Sequence, residues 1–385
     1  MFEKAFVGGK RYWGLVLFWS VFVVIGFLFY LWQLKVGLKL TGMSRDVSWG
    51  FYIANFTFLV GVAAGGVMVA LPCYLHNYKK FARITVLGEF LAVAAVIMCL
   101  SFILVDLGRP MRVLNVLLHP TPHSVMFWDM VVLNVYLIIN ILIGWKALDC
   151  ERNEIAPPKW VKFLAYFSIV WAPCIHIVTA FLYSGLPGRE FWLTPLMAPK
   201  FLAGAFATGP AYLILFCLII RKYTKFDPGK EAIQTLAKIV AYCTIITFCF
   251  FLFEVFTAVY SNIPGHLNHL KYLFFGLEGH AKLVPWMWAF FFSLFIAIVL
   301  LVIPSLRRDE GVLAIACLLV IFGCWIDKGL GLICGGFIPN AFDKVTEYWP
   351  TFPEFMISLG VWALGFLILT ILYKVALSVK EQIGE

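Results

Sequence analysis

Charge is what this sequence has least of. Asp, Glu, Lys and Arg make up 13% of its 385 residues, against 62% hydrophobic residues and a mean hydropathy of +0.92. So few charges cannot clothe a water-soluble surface, which excludes an ordinary soluble globular domain. Metal-binding patterns are missing as well. The ten cysteines form no CxxC, no CxxCH and no ferredoxin-like run, so their spacing offers neither a haem attachment nor a cluster site. Cys73, Cys99, Cys174, Cys217, Cys243, Cys249, Cys317 and Cys324 lie inside apolar runs, where thiols pack as small hydrophobes. Of seven histidines only His176 lies well inside such a run, whereas a membrane cytochrome b needs facing pairs. The chain is therefore expected to carry no metal, haem or iron–sulfur cluster of its own.

Uninterrupted apolar length is what the sequence has. About ten runs are long enough to cross a bilayer, at 13–34, 49–75, 84–105, 126–147, 160–183, 200–220, 234–260, 285–304, 311–333 and 356–377. The expected fold is all-α: a polytopic membrane protein of about ten transmembrane helices. Residues 1–34 imitate a signal peptide, but the apolar run is too long and no small-x-small site follows, so the first helix is read as uncleaved. The formal charge of +9 does not point to nucleic acid. Lys and Arg are read as lying in the connecting segments, nineteen on the N-terminal side of the bilayer and eleven on the other. The positive-inside rule then places both termini of a multi-pass protein in the cytoplasm and the DLGRP loop outside.

The chain is organised around SWGFYIANFTFLVGVAAGG, residues 48–66. Gly61 and Gly65 allow another helix to approach closely. Tyr52, Asn55 and Leu59 share one helical stripe, and Asn55 so deep in a span requires a hydrogen-bonding partner. Span three ends in VDLGRPMR, where Asp106 and Arg109 are close enough to pair. The loop HPTPHSVMFWDM then brings Trp128 and Asp129 to the start of span four, where a carboxylate suits the positive helix end. In span five, WAPCIHIVTAFLYSG sets His176, Thr179 and Tyr183 on one stripe. Interface anchoring explains each charge taken singly. Four spans delivering polar groups to one outer level favour a site.

Span seven carries Glu254 about two turns from its outer end. A charged, unpaired carboxylate there costs roughly 2.5–3.5 kcal/mol, which makes Glu254 a candidate proton relay. His266 and His269, in HLNH, are a weak metal pattern. Span nine is expected to end outside at Asp327 and Lys328, ahead of an aromatic, acidic loop at 334–355 suited to docking a partner. Spans two to five and six to nine run in the same directions, which suggests two parallel four-helix bundles plus flanking helices. The expected division is 1–48, first helix and outer loop; 49–183, first bundle; 200–333, second bundle; and 334–385, outer loop, last helix and tail.

WGFYIANFTFLVGVAAGG, then DLGRP, then SVMFWD opening the next span and a lone His in the one after, resembles the NrfD/PsrC family of integral membrane quinone-interacting subunits. Ten spans at this length look more like its sulfite-reduction-associated branch, which includes DsrP and the Hdr-like menaquinol oxidoreductase subunits, than the eight-span reductase anchors. The resemblance implies a menaquinone or menaquinol site near the outer face and electron exchange with an extracytoplasmic ferredoxin-like iron–sulfur subunit. It also implies cytochrome b, cytochrome c and cytoplasmic iron–sulfur partners in an anaerobic, sulfur-linked respiratory complex. One departure stands out: eight-span relatives carry a His just before the organising Trp, whereas residues 43–48 here read MSRDVS. Its role must fall to another residue, for which Arg45, Asp46 and His176 are candidates.

Two function classes follow. The first is the quinol-oxidising subunit of a menaquinol oxidoreductase, with Tyr52 and Trp128 walling the ring and Asn55 holding one oxygen. His176 takes a proton at neutral pH, Asp106 or Asp129 passes it outward, Arg109 orients the carboxylate, and Tyr183 is a further contact. The second is a secondary transporter or proton-conducting subunit without quinone chemistry. Polar groups gathered at one rim, rather than at a broken midplane helix, favour the first.

Overall fold

The structure is a computed structural model that describes residues 2–63, 65, 66, 70 and 81–383. Cys73, and Lys79 and Lys80 of the charge balance, lie outside the described residues. Helices arise wherever the apolar runs fall, because a chain without water must satisfy its backbone internally. They are α1 (Lys10–Val36), α2 (Phe51–Ala63), α3 (Ala82–Asp106), α4 (Val125–Arg152), α5 (Lys159–Ser184), α6 (Met197–Tyr223), α7 (Lys230–Ser261), α8 (Val284–Val302), α9 (Glu310–Trp325) and α10 (Phe352–Ile383). Nine helical segments among the described residues are long and apolar enough to cross a membrane; α2 is a shorter apolar helix. The chain is a polytopic all-α membrane protein.

Burial separates core helices from peripheral ones. In α3, 78% of the most apolar window is buried; in α1 the figure is 6%. Helices α2 to α5 pack on one another in sequence, as do α6 to α9, giving two four-helix bundles. They meet where α2 lies against α6: a Cβ on Gly209 would stand 2.4 Å from the Gly65 nitrogen, so only glycine permits this approach. Helices α1 and α10 form the flanking pair, and α10 also packs on α3.

The ninth span departs from expectation. Asp309 caps α9 by accepting from the Val312 amide at 2.9 Å. Beyond Trp325 the helix widens into a nine-residue π-helix, Ile326–Cys334. Asp327 and Lys328 therefore do not end the span at the surface. They are 4% and 2% exposed. The wider turn redirects both side chains inward, where each meets a polar partner. Lys200, which the charge count assigns to a loop, is likewise buried, at 5% exposure.

Candidate functional site

Asp129 opens α4 and is buried. Its Oδ1 accepts a hydrogen bond from Thr179 Oγ1 of α5 at 2.6 Å. Thr179 lies midway along the stripe between His176 and Tyr183, as the spacing requires. The Tyr183 and Thr57 hydroxyls share a hydrogen bond of 2.5 Å, tying α5 to α2. His176 is 1% exposed, and neither ring nitrogen has a partner among the described residues. Between α3, α4 and the loop that joins them lies a cavity of about 470 Å³. Its walls are mostly Leu, Ile, Val and Met, and its polar groups are Ser101, Arg109, Arg112, Asp129 and Asn134. An apolar space of this size with a few converging polar groups is what a flat organic ligand needs.

Other candidate residues sit elsewhere. Asp106 and Arg109 form no ion pair among the described residues, and Asp106 Oδ1 is buried without a partner. Pro110 begins a 3-10 turn that carries Arg109 to the cavity mouth instead. Tyr52 donates to Gln33 Oε1 at 2.6 Å, and Gln33 Nε2 donates to the Val105 carbonyl at 2.6 Å, so the three join α1, α2 and α3. Trp128 is 47% exposed, with its indole bonded to the Pro122 carbonyl. Asn55 has its required partners. Its Oδ1 accepts from the indoles of Trp325 and Trp362, each at 3.0 Å. Those three residues line a second cavity, of about 500 Å³, walled by α2, α9 and α10. Tyr52, Asn55 and Trp128 thus do not line the cavity that Asp129 faces.

Glu254 has a partner that sequence spacing does not reveal. Lys200 Nζ stands 2.8 Å from Glu254 Oε2 and 3.2 Å from Asp327 Oδ1. Lys328 donates to the Phe201 carbonyl at 3.0 Å. Glu254 also borders a cavity of about 140 Å³ with Thr257 and His266.

Sequence reasoning missed Trp192, Tyr348 and Glu354, which help to fix α2. Trp49 stacks on Trp192 at 5.9 Å, and Tyr183 meets both rings edge-on. Glu354, fully buried, accepts from the amides of Gly42 at 3.0 Å and Phe51 at 3.3 Å and from the Tyr348 hydroxyl. A carboxylate thereby closes the start of α2, where unpaired N–H groups and the helix dipole favour negative charge.

A family profile described as "Polysulphide reductase, NrfD" matches residues 39–339. The chain belongs to the NrfD family. The match takes in both bundles and the loops that form the rim. The chain is 27% identical to a putative dimethyl sulfoxide reductase membrane subunit from Halobacterium salinarum, over 91% of this chain and 87% of the relative. It is 22% identical to the Hdr-like menaquinol oxidoreductase integral membrane subunit of Archaeoglobus fulgidus, over 100% and 98%. It is 23% identical to the menaquinone reductase integral membrane subunit of Nitratidesulfovibrio vulgaris, over 93% and 90%.

Proposed function

We propose that this chain is the membrane subunit of a multi-subunit respiratory complex that exchanges electrons between menaquinol and an extracytoplasmic iron–sulfur partner. The carrying observation is the 470 Å³ cavity faced by Asp129, whose carboxylate is held by Thr179 on the stripe of His176 and Tyr183. The names of the relatives from Archaeoglobus fulgidus and Nitratidesulfovibrio vulgaris supply the quinone class. The residues present fit such a group: apolar walls for rings and tail, a buried carboxylate, and two guanidinium groups at the mouth.

Menaquinol, when bound, supplies two electrons and two protons. Asp129 is the group placed to receive a proton, because it alone joins the cavity wall to the buried Thr179–His176 stripe. Thr179 fixes which carboxylate oxygen is engaged. Arg109 and Arg112 hold the mouth positive and favour a polar headgroup entering there. Asp106, in the same loop region, gives the proton a route to outer water. Electrons pass to a ferredoxin-like subunit outside, with cytochrome b, cytochrome c and cytoplasmic iron–sulfur subunits completing a sulfur-linked complex. In this reading the membrane is the cytoplasmic one, both termini face the cytoplasm, and the rim carrying Asp129 faces out.

The test is Asp129→Asn and His176→Ala in the assembled complex, with menaquinol-analogue oxidation measured against subunit retention. Each is expected to lose at least about tenfold in turnover, which is 1.4 kcal/mol of barrier. Normal turnover in both moves the site elsewhere. We assign Glu254 to proton traffic, since it borders a separate cavity and pairs with Lys200. Glu254→Gln preserves shape and removes titration; unchanged quinol turnover together with unchanged proton movement would exclude the assignment.

A further inference from the structure

The 470 Å³ cavity is not shut inside the first bundle. Of its lining residues Asp129 alone is buried; the others are half-buried or exposed. Leu104 of α3 and Met126 of α4 are exposed, as are Leu114 and Leu117 of the loop between them. On a polytopic membrane protein, exposed apolar side chains of this kind face lipid. The cavity is therefore a groove between α3 and α4 that opens sideways into the bilayer. Asp129 stands where its wall meets the bundle interior.

The groove is charged at one end only. Arg109, Arg112 and Asp129 all lie at the rim, where α3 ends and α4 begins. Helix α4 runs inward from that rim, which puts Asn134 about 7.5 Å deeper than Asp129. Helix α3 runs toward the rim, and Ile97 lies about 13 Å below its end at Asp106. The two polar side chains at that depth are turned onto their own helices. Ser101 Oγ donates to the Ile97 carbonyl and Asn134 Nδ2 to the Met130 carbonyl, each at 2.8 Å. The rest of the inner half is Ile97, Leu100, Ile103, Leu104 and Met130, an apolar track without a charge.

We infer that this track holds the isoprenoid tail of the quinol, so that the subunit draws its substrate sideways from the leaflet and selects for a tail. The inference rests on the quinone reading of the Asp129 cavity and adds the orientation of the ligand. The ring stops at Asp129, the one carboxylate in the groove, with the two guanidinium groups at the level of the lipid headgroups. The tail runs inward between α3 and α4, one side on Ile97, Leu100 and Met130 and the other in lipid. Such half-contact suits a flexible chain, because only the protein-facing side has to be ordered. Phospholipid is the competing occupant, since a basic rim above an apolar track also seats a phosphate and an acyl chain. Asp129 favours the quinol. Its carboxylate accepts a hydrogen bond from a quinol hydroxyl, a donor that a phosphodiester does not have.

The test compares two naphthoquinols with the same ring, menadiol without a tail and its isoprenoid-tailed counterpart, oxidised by the assembled complex in proteoliposomes. Ile97→Trp and Leu104→Trp each place an indole in the track and leave Asp129 untouched. Taking each variant as a ratio to the parent cancels the partitioning of the quinol into the bilayer. For the tailed quinol, kcat/KM is expected to fall at least tenfold in both variants; for menadiol, less than twofold. Equal losses for the two quinols, or none for either, overturn the inference, the second result being what a bound phospholipid would give. Asp129→Asn is expected to lose both quinols alike. Loss in Asp129→Asn without tail selectivity in the tryptophan variants overturns the tail site alone, whereas normal turnover in Asp129→Asn overturns the quinone reading with it. Should the tryptophan variants fail to assemble, the parent complex decides the matter with a quinone carrying a photoreactive diazirine on its tail. Cross-links are expected within Ile97 to Leu104 and Met130 to Asn134, and cross-links confined to other segments overturn the inference.

Discussion

Thr179 Oγ1 donates to Asp129 Oδ1 at 2.6 Å, a buried bond that joins polar residues of two separate spans. Thr179→Val keeps the shape and removes the donor. Turnover of a quinol analogue is expected to fall about tenfold, or 1.4 kcal/mol, with assembly unchanged. An effect on KM alone would place the bond in binding rather than in proton acceptance.

Asn55→Leu is expected to behave in the opposite way. It strips the acceptor from the indoles of Trp325 and Trp362, 270 and 307 residues away in sequence. Leaving such groups unpaired costs about 1–3 kcal/mol each. The variant is expected to melt earlier in detergent while the assembled fraction keeps its turnover. Turnover lost at an unchanged melting temperature would return Asn55 to the proposed quinone site.

These two residues mark what the sequence makes legible. The polytopic all-α membrane fold and the shared helical stripe of His176, Thr179 and Tyr183 follow from hydropathy and from 3.6-residue spacing. Asn55 needs a partner, and the sequence says so, but its partner lies in the last third of the chain, where no spacing rule reaches. Asp327 and Lys328 mislead because charges followed by GLGLICGG read as the end of a span. A π-helix inverts that reading by turning the charges inward toward Lys200 and Phe201. Glu354 is invisible in the sequence for a similar reason: the amides it caps belong to residues some 300 positions earlier.

His269 gives a stability prediction with a definite sign. It lies in the short helix Pro264–Phe275, outside the spanning helices, with Nδ1 bonded to the Gly265 carbonyl at 2.5 Å. Burial holds it neutral, with a pKa pushed down from 6.5 to about 4. Between those values the unfolded chain binds the proton and the folded chain does not, so stability rises with pH. Acidifying from 6.5 toward 4 is expected to cost about 1.4 kcal/mol per pH unit at most. His269→Phe, which can keep the 5.1 Å stack on Phe191, is expected to flatten that slope. A slope identical to that of the parent protein would assign the acid sensitivity to other groups.

Membrane orientation has a direct test. With the rim outside, a cysteine at Pro122 is expected to react with an impermeant maleimide added to intact cells, and one at Gly229 only after lysis. Both positions lie outside the helices, in the segments before α4 and before α7. The reverse pattern would place the Asp129 rim in the cytoplasm and exclude the extracytoplasmic partner.

Glu354 supports the last prediction. Helix α2 begins at Phe51 with its first amides facing inward, away from water. The chain meets that need with a carboxylate from α10: Glu354 Oε1 accepts from the Phe51 amide at 3.3 Å, and Tyr348 adds its hydroxyl at 2.6 Å from the same amide. Glu354 Oε2 meanwhile accepts from Gly42 and Thr351, which closes the loop ahead of α2. Glu354→Ala leaves these donors buried and unpaired, at a cost on the order of 3 kcal/mol. Glu354→Gln retains an acceptor oxygen but loses the charge that complements the helix end, a smaller cost of about 1 kcal/mol. Thermal midpoints are therefore expected in the order parent, Glu354→Gln, Glu354→Ala. Since α2 carries Thr57 and so positions Tyr183, quinol-analogue turnover should fall in the same order. Equal midpoints for all three would mean that α2 is held by packing alone.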